Sequence, residues 1–156
     1  MLLYLDTNVY VSCVFQEMGK GYRMMEEYGY QFFAWCKLNK ISLVISDHFY
    51  REVKAVTSLD QKVVLSHLSE LGLVMVPLFT TSDTRENAGR IERLYRLHYA
   101  DALHVSLAKE GRCDYIITWN TRDFLKTHDI IPAATPKEFM EKFAPTHFSS
   151  PGTNAP

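Results

Sequence analysis

LLYLDTN, residues 2–8, is the stretch of the chain that decides its fold. The apolar residues 2–5 predict a short buried strand, because a continuous apolar run bounded by polar residues is typical of such strands. Asp6 ends the run, and either Thr7 or Asn8 can cap a helix, which we expect to extend to about Phe15. The stretch therefore predicts the first strand–helix unit of an α/β fold.

Short apolar runs continue to alternate with amphipathic segments along the rest of the chain. Further strands are predicted at residues 41–45, 73–76, 115–118 and 130–131. Pro77 is expected to end the strand at 73–76, and Pro132 the strand at 130–131. Apolar residues with helical spacing predict helices at about residues 22–38, 47–56, 61–71, 82–97, 101–111 and 136–143. Strands that alternate with helices imply a parallel sheet covered on both faces.

Length and composition indicate one folded domain. The chain has 156 residues, 47% of them apolar and 22% charged, which is typical of a globular domain with a single core. We expect this domain to span residues 1–143. Residues 144–156 are rich in Pro, Ser, Thr and Gly, and we expect them to form a disordered tail.

Charge and cysteine content narrow the class of protein. The net charge is −1 and the pI about 6.6, so general coating of nucleic acid by a strongly basic chain is excluded, although basic residues can gather on one face. The spacing of Cys13, Cys36 and Cys113 matches no zinc or redox motif. Without a signal peptide or a long uncharged apolar run, a cytoplasmic protein with no membrane contact is expected.

Acidic and amide side chains stand at or just after the predicted strand ends. Asp6 ends the first strand, Glu52 lies in the helix after the second, and Asp101 opens a later helix. Asn120 and Asp123 follow the fourth strand. Because ligands bind beyond the carboxyl ends of parallel strands, we expect these groups to converge in one cleft.

Converging carboxylates raise one another's pKa by repulsion, and a hard divalent cation removes that penalty. Mg²⁺ and Mn²⁺ prefer such oxygen ligands and support the hydrolysis of phosphodiesters. Each acid also has a simpler explanation, since Asp6 and Asp101 could be helix caps, and Glu52 and Asp123 could be solvent-facing residues. Their joint placement favours the metal site.

Four motifs carry a family resemblance, namely LDTNV at 5–9, SDHFYREV at 46–53, YADALH at 99–104 and ITWNTRDF at 117–124. In this order and spacing they resemble the PIN-domain ribonucleases, and within these the toxins of VapBC-type toxin–antitoxin pairs. The likeness covers about residues 2–143. It implies a three-layer α/β/α sandwich with a central, mostly parallel sheet of four to five strands.

The resemblance also implies an Mg²⁺- or Mn²⁺-dependent endoribonuclease, the toxin of a type II toxin–antitoxin system. It places metal binding on Asp6, Glu52 and Asp101, and the family's usual fourth acid falls on Asn120. Asp123, three residues on, is the acid that can replace it, so the expected catalytic set includes Asp123. Implied partners are an RNA substrate, a small antitoxin and a second copy of the chain in a homodimer.

Several other residues are expected near this cleft. Thr7 and Thr118 resemble the hydroxyl residues that line it, and Arg122 beside the last motif supplies a cation that an RNA backbone needs. His104 lies one helical turn after Asp101 and could contact the cleft, but a satisfied, partly buried histidine is favoured. The remaining histidines show no spacing typical of metal ligands.

Two alternatives from other classes stay open. The first is a non-catalytic PIN-fold module that binds RNA or protein. It stays open because Asn120 replaces the family's usual fourth acid. The second is a phosphoryl-transfer domain with Asp6 as the acceptor. Enzymes of the second kind that resemble haloacid dehalogenases need a second aspartate two residues later, where this chain has Asn8.

Overall fold

A five-stranded parallel sheet organises the computed structural model, which describes residues 1–17 and 23–144. The strands are β1 (Leu2–Leu5), β2 (Ser42–Ser46), β3 (Val74–Leu78), β4 (Tyr115–Ile117) and β5 (Ala133–Ala134). Their order across the sheet is β3-β2-β1-β4-β5, and every neighbouring pair is parallel. The predicted α/β class with a parallel sheet of four to five strands is confirmed.

Helices connect these strands and cover the sheet. They are α1 (Thr7–Glu17), α2 (Arg23–Leu38), α3 (Asp47–Thr57), α4 (Gln61–Glu70), α5 (Ser82–Tyr95), α6 (Tyr99–Glu110), α7 (Thr121–Phe124) and α8 (Pro136–Phe143), with a 3₁₀ turn at Leu125–Thr127. Three of them begin after a Ser or Thr whose side chain caps the helix. Ser46, Thr81 and Thr135 each accept a hydrogen bond from the backbone N–H three residues on.

Alternating residues of the central strands build two separate cores. Leu3 and Leu5 of β1 face a core that includes α1, α2, α4 and α8. Tyr4, between them, faces a second core built with α5, α6 and α7. Because successive side chains of a strand point to opposite faces, one buried run serves both layers. The result is the expected three-layer α/β/α sandwich.

The fifth strand lies after Pro132 rather than before it, so the prediction at residues 130–131 is wrong. The N–H groups of Ile130 and Ile131 both donate to the Thr127 carbonyl, at 2.9 and 3.0 Å, which closes a turn instead. The Pro132 carbonyl accepts a hydrogen bond from the Ile116 N–H at 3.0 Å and starts the pairing with β4. Proline supplies an acceptor there, and its missing donor is not needed.

Pro77 does not close the third strand, which continues to Leu78. Pro77 lies within β3 opposite Ile45 of β2. Because β3 is at the edge of the sheet, a proline there need not cost a hydrogen bond of the ladder. The prediction that the strand ends before Pro77 is therefore wrong, for a reason that depends on its position in the sheet.

Helix α8 ends the described part of the fold. The Ala144 N–H donates to the Met140 carbonyl at 2.7 Å and closes its last turn. Apart from Ala144, the tail predicted over residues 144–156 lies outside the described residues, so the domain boundary stays a prediction. No helix within the described residues is long and apolar enough to cross a membrane.

Asp47 joins the start of α3 to the segment that follows β3. Its Oδ1 accepts hydrogen bonds from the Thr80 N–H at 2.9 Å and the Thr80 hydroxyl at 2.6 Å, and its Oδ2 accepts one from Arg51 at 3.1 Å. Partial burial acts to raise the pKa of Asp47, but the Thr80 hydrogen bonds and the Arg51 charge outweigh it and lower that pKa. The ionised carboxylate therefore stabilises the folded state.

We predict that Asp47→Ala lowers the free energy of unfolding by about 2 kcal/mol near pH 7, because hydrogen bonds to a charged group are lost. Since the folded pKa is lowered, this contribution is complete above the unfolded value of about 3.9 and is lost as the pH falls through the folded value. Urea unfolding at neutral pH and at about pH 2.5 measures both effects. Asp83→Ala, which removes an exposed acid from α5, should change little, and an equal loss in both variants would contradict the prediction.

Candidate metal centre at the carboxyl edge of the sheet

The topology opens a crevice between the carboxyl ends of β1 and β4. From β1 the chain passes through α1 and α2 to β2 on one side, whereas β4 is reached through α5 and α6, which pack on the opposite face. Ligands of such sheets bind where the strand order reverses in this way. Asp6 directly follows β1 and Thr118 directly follows β4, so both stand at this point.

Asp6 is buried in the crevice, with 5% of its surface exposed. Its Oδ2 accepts a hydrogen bond from the Thr118 hydroxyl at 2.6 Å, and its Oδ1 lies 3.5 Å from Nε2 of His104. Burial raises the pKa of Asp6, and the His104 charge and the Thr118 hydrogen bond only partly offset this. A simple helix cap does not account for the contacts with Thr118 and His104.

Glu52 reaches the same crevice from the second turn of α3. Its Oε2 accepts a hydrogen bond from the Thr7 hydroxyl at 2.6 Å and lies 2.8 Å from Nε2 of His104. Burial acts to raise the pKa of Glu52, but hydrogen bonding and charge from His104, with the Thr7 hydrogen bond, lower it to about 2. Glu52 is therefore ionised at neutral pH and is held by contacts that a solvent-facing glutamate lacks.

Asp101 belongs to the same group of carboxylates. It is the third residue of α6, behind the cap position at His98, so the alternative that it is only a helix cap is wrong. Burial and the charge of Asp6 raise the pKa of Asp101, with smaller contributions from Asp123 and Glu52. The carboxylates from β1, α3 and α6 thus repel one another in one crevice.

Asn120 and Asp123 contact each other at the rim. The Asn120 side-chain amide donates to Oδ2 of Asp123 at 2.9 Å, and Nζ of Lys126 lies 3.5 Å from Oδ1 of Asp123. The Asn120 hydrogen bond is the main cause that lowers the pKa of Asp123. Asn120 therefore orients the Asp123 carboxylate, which is 38% exposed and contributes to the field at Asp101.

His104 lies between the carboxylates and is fully enclosed. Its Nδ1 shares a hydrogen bond with the Tyr4 hydroxyl at 2.8 Å, and that hydroxyl also contacts the Ser46 hydroxyl at 2.8 Å. Burial acts to lower the pKa of His104, but Asp6 and Glu52 outweigh it and raise that pKa. The interpretation favoured from sequence was a satisfied histidine, and the structure adds that its satisfaction comes from the cleft acids themselves.

His48 is the residue that sequence reasoning missed. It stands one helical turn before Glu52 on α3, and its Nε2 lies 3.4 Å from Oε1 of Glu52. Its ring centroid is 4.5 Å from that of His104. Burial and the His104 charge lower the pKa of His48 to about 4, so the ring is neutral at pH 7. The spacing of four to Glu52 was the only local indication of its place.

The three residues expected to contact substrate lie in different settings. The Thr7 and Thr118 hydroxyls donate to Glu52 and Asp6, so they position the carboxylates. Thr118 Oγ1 also accepts hydrogen bonds from the Asn8 side chain at 3.0 Å and from the Asn120 N–H at 2.9 Å. Arg122 is exposed on α7, where its charge acts on Asp123.

This set of donors fits a hard divalent cation. Asp6, Glu52 and Asp101 offer carboxylate oxygens from three elements, which is the ligand type that Mg²⁺ and Mn²⁺ prefer. Their mutual repulsion is a cost that a cation would offset, as the charge of His104 already does in part. The residues present are therefore chemically suited to hold such an ion.

The chain belongs to the PIN domain family, whose model matches residues 3–122. The resemblance inferred from the four motifs is confirmed at the level of the family. No curated protein matches the chain.

Solved structures share the fold over nearly the whole chain. VapBC-1 from nontypeable Haemophilus influenzae has a TM-score of 0.58 and 15% identity, covering 88% of this chain and 99% of that one. FitAcB from Neisseria gonorrhoeae has a TM-score of 0.56 and 18% identity, covering 88% and 99%. A toxin–antitoxin complex from Klebsiella pneumoniae has a TM-score of 0.54 and 22% identity, covering 86% and 97%. At these identities the likeness shows the fold.

We predict that Asp101→Asn leaves the metal-free protein as stable as the original or raises its free energy of unfolding by up to roughly 1 kcal/mol, allowing for solvent screening of a partly exposed group. A raised carboxyl pKa means that ionised Asp101 destabilises the fold at neutral pH, and the gain should vanish as the pH falls through that pKa. Thermal unfolding in EDTA is the measurement, with Asp83→Asn as the control. A large loss of stability would assign Asp101 a structural role instead.

Proposed function

We propose that this protein is a metal-dependent endoribonuclease that hydrolyses RNA phosphodiesters with Mg²⁺ or Mn²⁺. The observation that carries the proposal is the placement of Asp6, Glu52 and Asp101 close enough at the crevice for their charges to interact. Glu52 raises the pKa of Asp6, and both Asp6 and Glu52 raise the pKa of Asp101. No other function weighed from the sequence needs three acids from three separate elements at one point.

The residues of the crevice would act mainly by holding groups in place. A divalent ion bound there would stabilise the charge that develops on the phosphate and make water a better nucleophile. Asp6 is buried and oriented by Thr118, and Glu52 is oriented by Thr7, so both present oxygens whose positions are set in advance. Hydrolysis by water needs no side-chain nucleophile, so no covalent intermediate is expected.

Asp123 is proposed as the fourth acid, with Asn120 as the residue that orients it. The Asn120 amide uses its N–H₂ group on Asp123, and Asp123 acts electrostatically on Asp101. A carboxylate is also a stronger ligand for hard cations than an amide oxygen. Both residues are therefore assigned to the metal centre, in different roles.

Cations stand where an RNA backbone would approach the crevice. A pocket of about 350 Å³ beside Glu52 is lined in part by Arg51, Arg85 and Tyr99. Guanidinium groups suit phosphate, and an exposed aromatic ring can stack on a base. Arg122 on α7 would add a contact on the other side of the centre. We assign the path of the RNA substrate to the surface that carries Arg51, Arg85, Tyr99 and Arg122.

We further propose that the protein is the toxin of a type II toxin–antitoxin pair, inhibited by a small antitoxin, and that it forms a homodimer. The support is the fold that this chain shares with solved structures, since one similar structure is a toxin–antitoxin complex and others are VapBC-1 and FitAcB. A toxin that acts through the crevice must lose its effect on growth when Asp6 is neutralised, and light scattering tests the dimer.

We predict that the purified protein cleaves a mixed pool of small structured RNAs with Mg²⁺ or Mn²⁺ and not with EDTA. Asp6→Asn, which is nearly isosteric, should reduce the rate at least about 100-fold, because an interaction with the developing charge is lost. Gel analysis of end-labelled RNA measures this. Asp83→Asn, an equally conservative change on α5, should leave the rate unchanged.

Other outcomes of that experiment separate the alternatives. Retained RNA binding without cleavage under any condition would support the non-catalytic module. Phosphate trapped covalently on Asp6 would support the phosphoryl-transfer domain. Cleavage that persists in EDTA and in Asp6→Asn would point to a contaminating nuclease and leave the protein without this activity.

We predict that Asp123→Asn weakens Mg²⁺ or Mn²⁺ binding and cleavage more than Asn120→Ala does. In the first variant a carboxylate ligand is lost. In the second variant Asp123 keeps its charge and loses only the hydrogen bond that orients it. Calorimetric titration with each ion and the cleavage rate are the two measurements. The reverse ranking would make Asn120 itself the ligand.

A further inference from the structure

We propose that His48, Glu52 and His104 form a second metal position beside the carboxylate centre, and that this position takes a borderline transition ion of the Zn²⁺ type rather than Mg²⁺. Each residue offers one ligand atom, and these atoms all lie within 4.8 Å of one another. The proposal shares Glu52 with the proposed nuclease centre, but it depends on the donor atoms alone and not on RNA cleavage.

The spacing of the donor atoms suits a single ion. Nε2 of His48 lies 3.4 Å from Oε1 of Glu52, and Nε2 of His104 lies 2.8 Å from Oε2 of the same carboxylate. Zinc–nitrogen and zinc–oxygen bonds of about 2 Å separate neighbouring ligands by roughly 3–3.5 Å in a tetrahedral site. The two imidazoles and the carboxylate therefore need only small adjustments around an ion.

His48 supplies an independent observation. Its Nε2 is buried and has no hydrogen-bond partner among the described residues, although it faces Glu52. A buried polar nitrogen without a partner is costly, and such a group in a native structure calls for an explanation. A bound ion would give this nitrogen a partner. The nuclease proposal assigns no role to His48, so this observation is independent of it.

The ring of His104 is oriented in the way that metal-binding histidines are oriented. His104 contacts the Tyr4 hydroxyl through Nδ1. Protein ligands of this type usually engage their second ring nitrogen with a carbonyl or another polar group, which fixes the first toward the metal.

The donor set decides which ion is preferred. Two imidazole nitrogens and one carboxylate suit Zn²⁺ and similar ions, whereas Mg²⁺ selects oxygen ligands and keeps its waters. Coordination at His104 would replace the proton that its Nε2 presents to Glu52, so the ion and that proton compete for one nitrogen. The pocket of about 350 Å³ that His48 and Glu52 help to line gives an ion a path from solvent.

Calorimetric titration of the tag-free, full-length chain with Zn²⁺, in a large excess of Mg²⁺, tests the proposal. We expect one Zn²⁺ per chain. His48→Gln should weaken binding at least about 10-fold, which is the lower end of the loss seen when a group that merely supports a ligand is removed. His128→Gln, at an exposed histidine outside the crevice, should bind like the original.

Unchanged Zn²⁺ binding in His48→Gln, or no Zn²⁺ binding by the original chain, would overturn the second position. If His48→Gln does not fold, imidazole ¹⁵N NMR of the unmodified chain decides instead, since Zn²⁺ must shift ring signals of two histidines. Cleavage with Mg²⁺ but no Zn²⁺ site would leave the proposed nuclease intact. A Zn²⁺ site that depends on His48 in a protein that cleaves no RNA would leave the second position intact.

Discussion

The hydrogen bond from the Thr118 hydroxyl to the Asp6 carboxylate is the contact on which the crevice depends. It joins the chain just after β4 to the chain just after β1, 112 residues apart, at the point where the strand order reverses. Thr118 Oγ1 also accepts hydrogen bonds from Asn8 and from the backbone of Asn120. One hydroxyl thus places a buried carboxylate before any ligand arrives, because a buried charge needs fixed partners.

The acids of the crevice are tolerated because a positive group lies among them. Burial raises the pKa of Asp6 and of Asp101, and the charge of Asp6 raises the pKa of Asp101 further. His104, in contact with Glu52 and close to Asp6, offsets part of this repulsion. A buried group of like charges is costly without a counter-charge, so a protonated His104 lowers the electrostatic cost of this site.

Local sequence patterns predict most strands and helices, because the spacing of apolar residues is a local property of the chain. They also place the acids near strand ends, and a parallel sheet brings the carboxyl ends of its strands to one edge. They fail at Pro77 and Pro132, where the outcome depends on which neighbour a strand pairs with. They also miss His48, whose partner His104 is 56 positions further along the chain and meets it only through the packing of α3 and α6. A short window of sequence does not show which distant elements will contact each other in the fold.

The amide at Asn120 fits the electrostatics of the crevice. A fourth carboxylate there would add negative charge near Asp101, whose pKa is already raised by its acidic neighbours. The amide instead donates to Asp123 and holds that acid at the exposed rim, where Lys126 also offsets its charge. Helices α3 and α6 each add an imidazole nitrogen beside Glu52, from His48 and from His104. Part of the crevice therefore presents imidazole nitrogens together with a carboxylate, a combination of ligands that suits borderline ions better than hard ones.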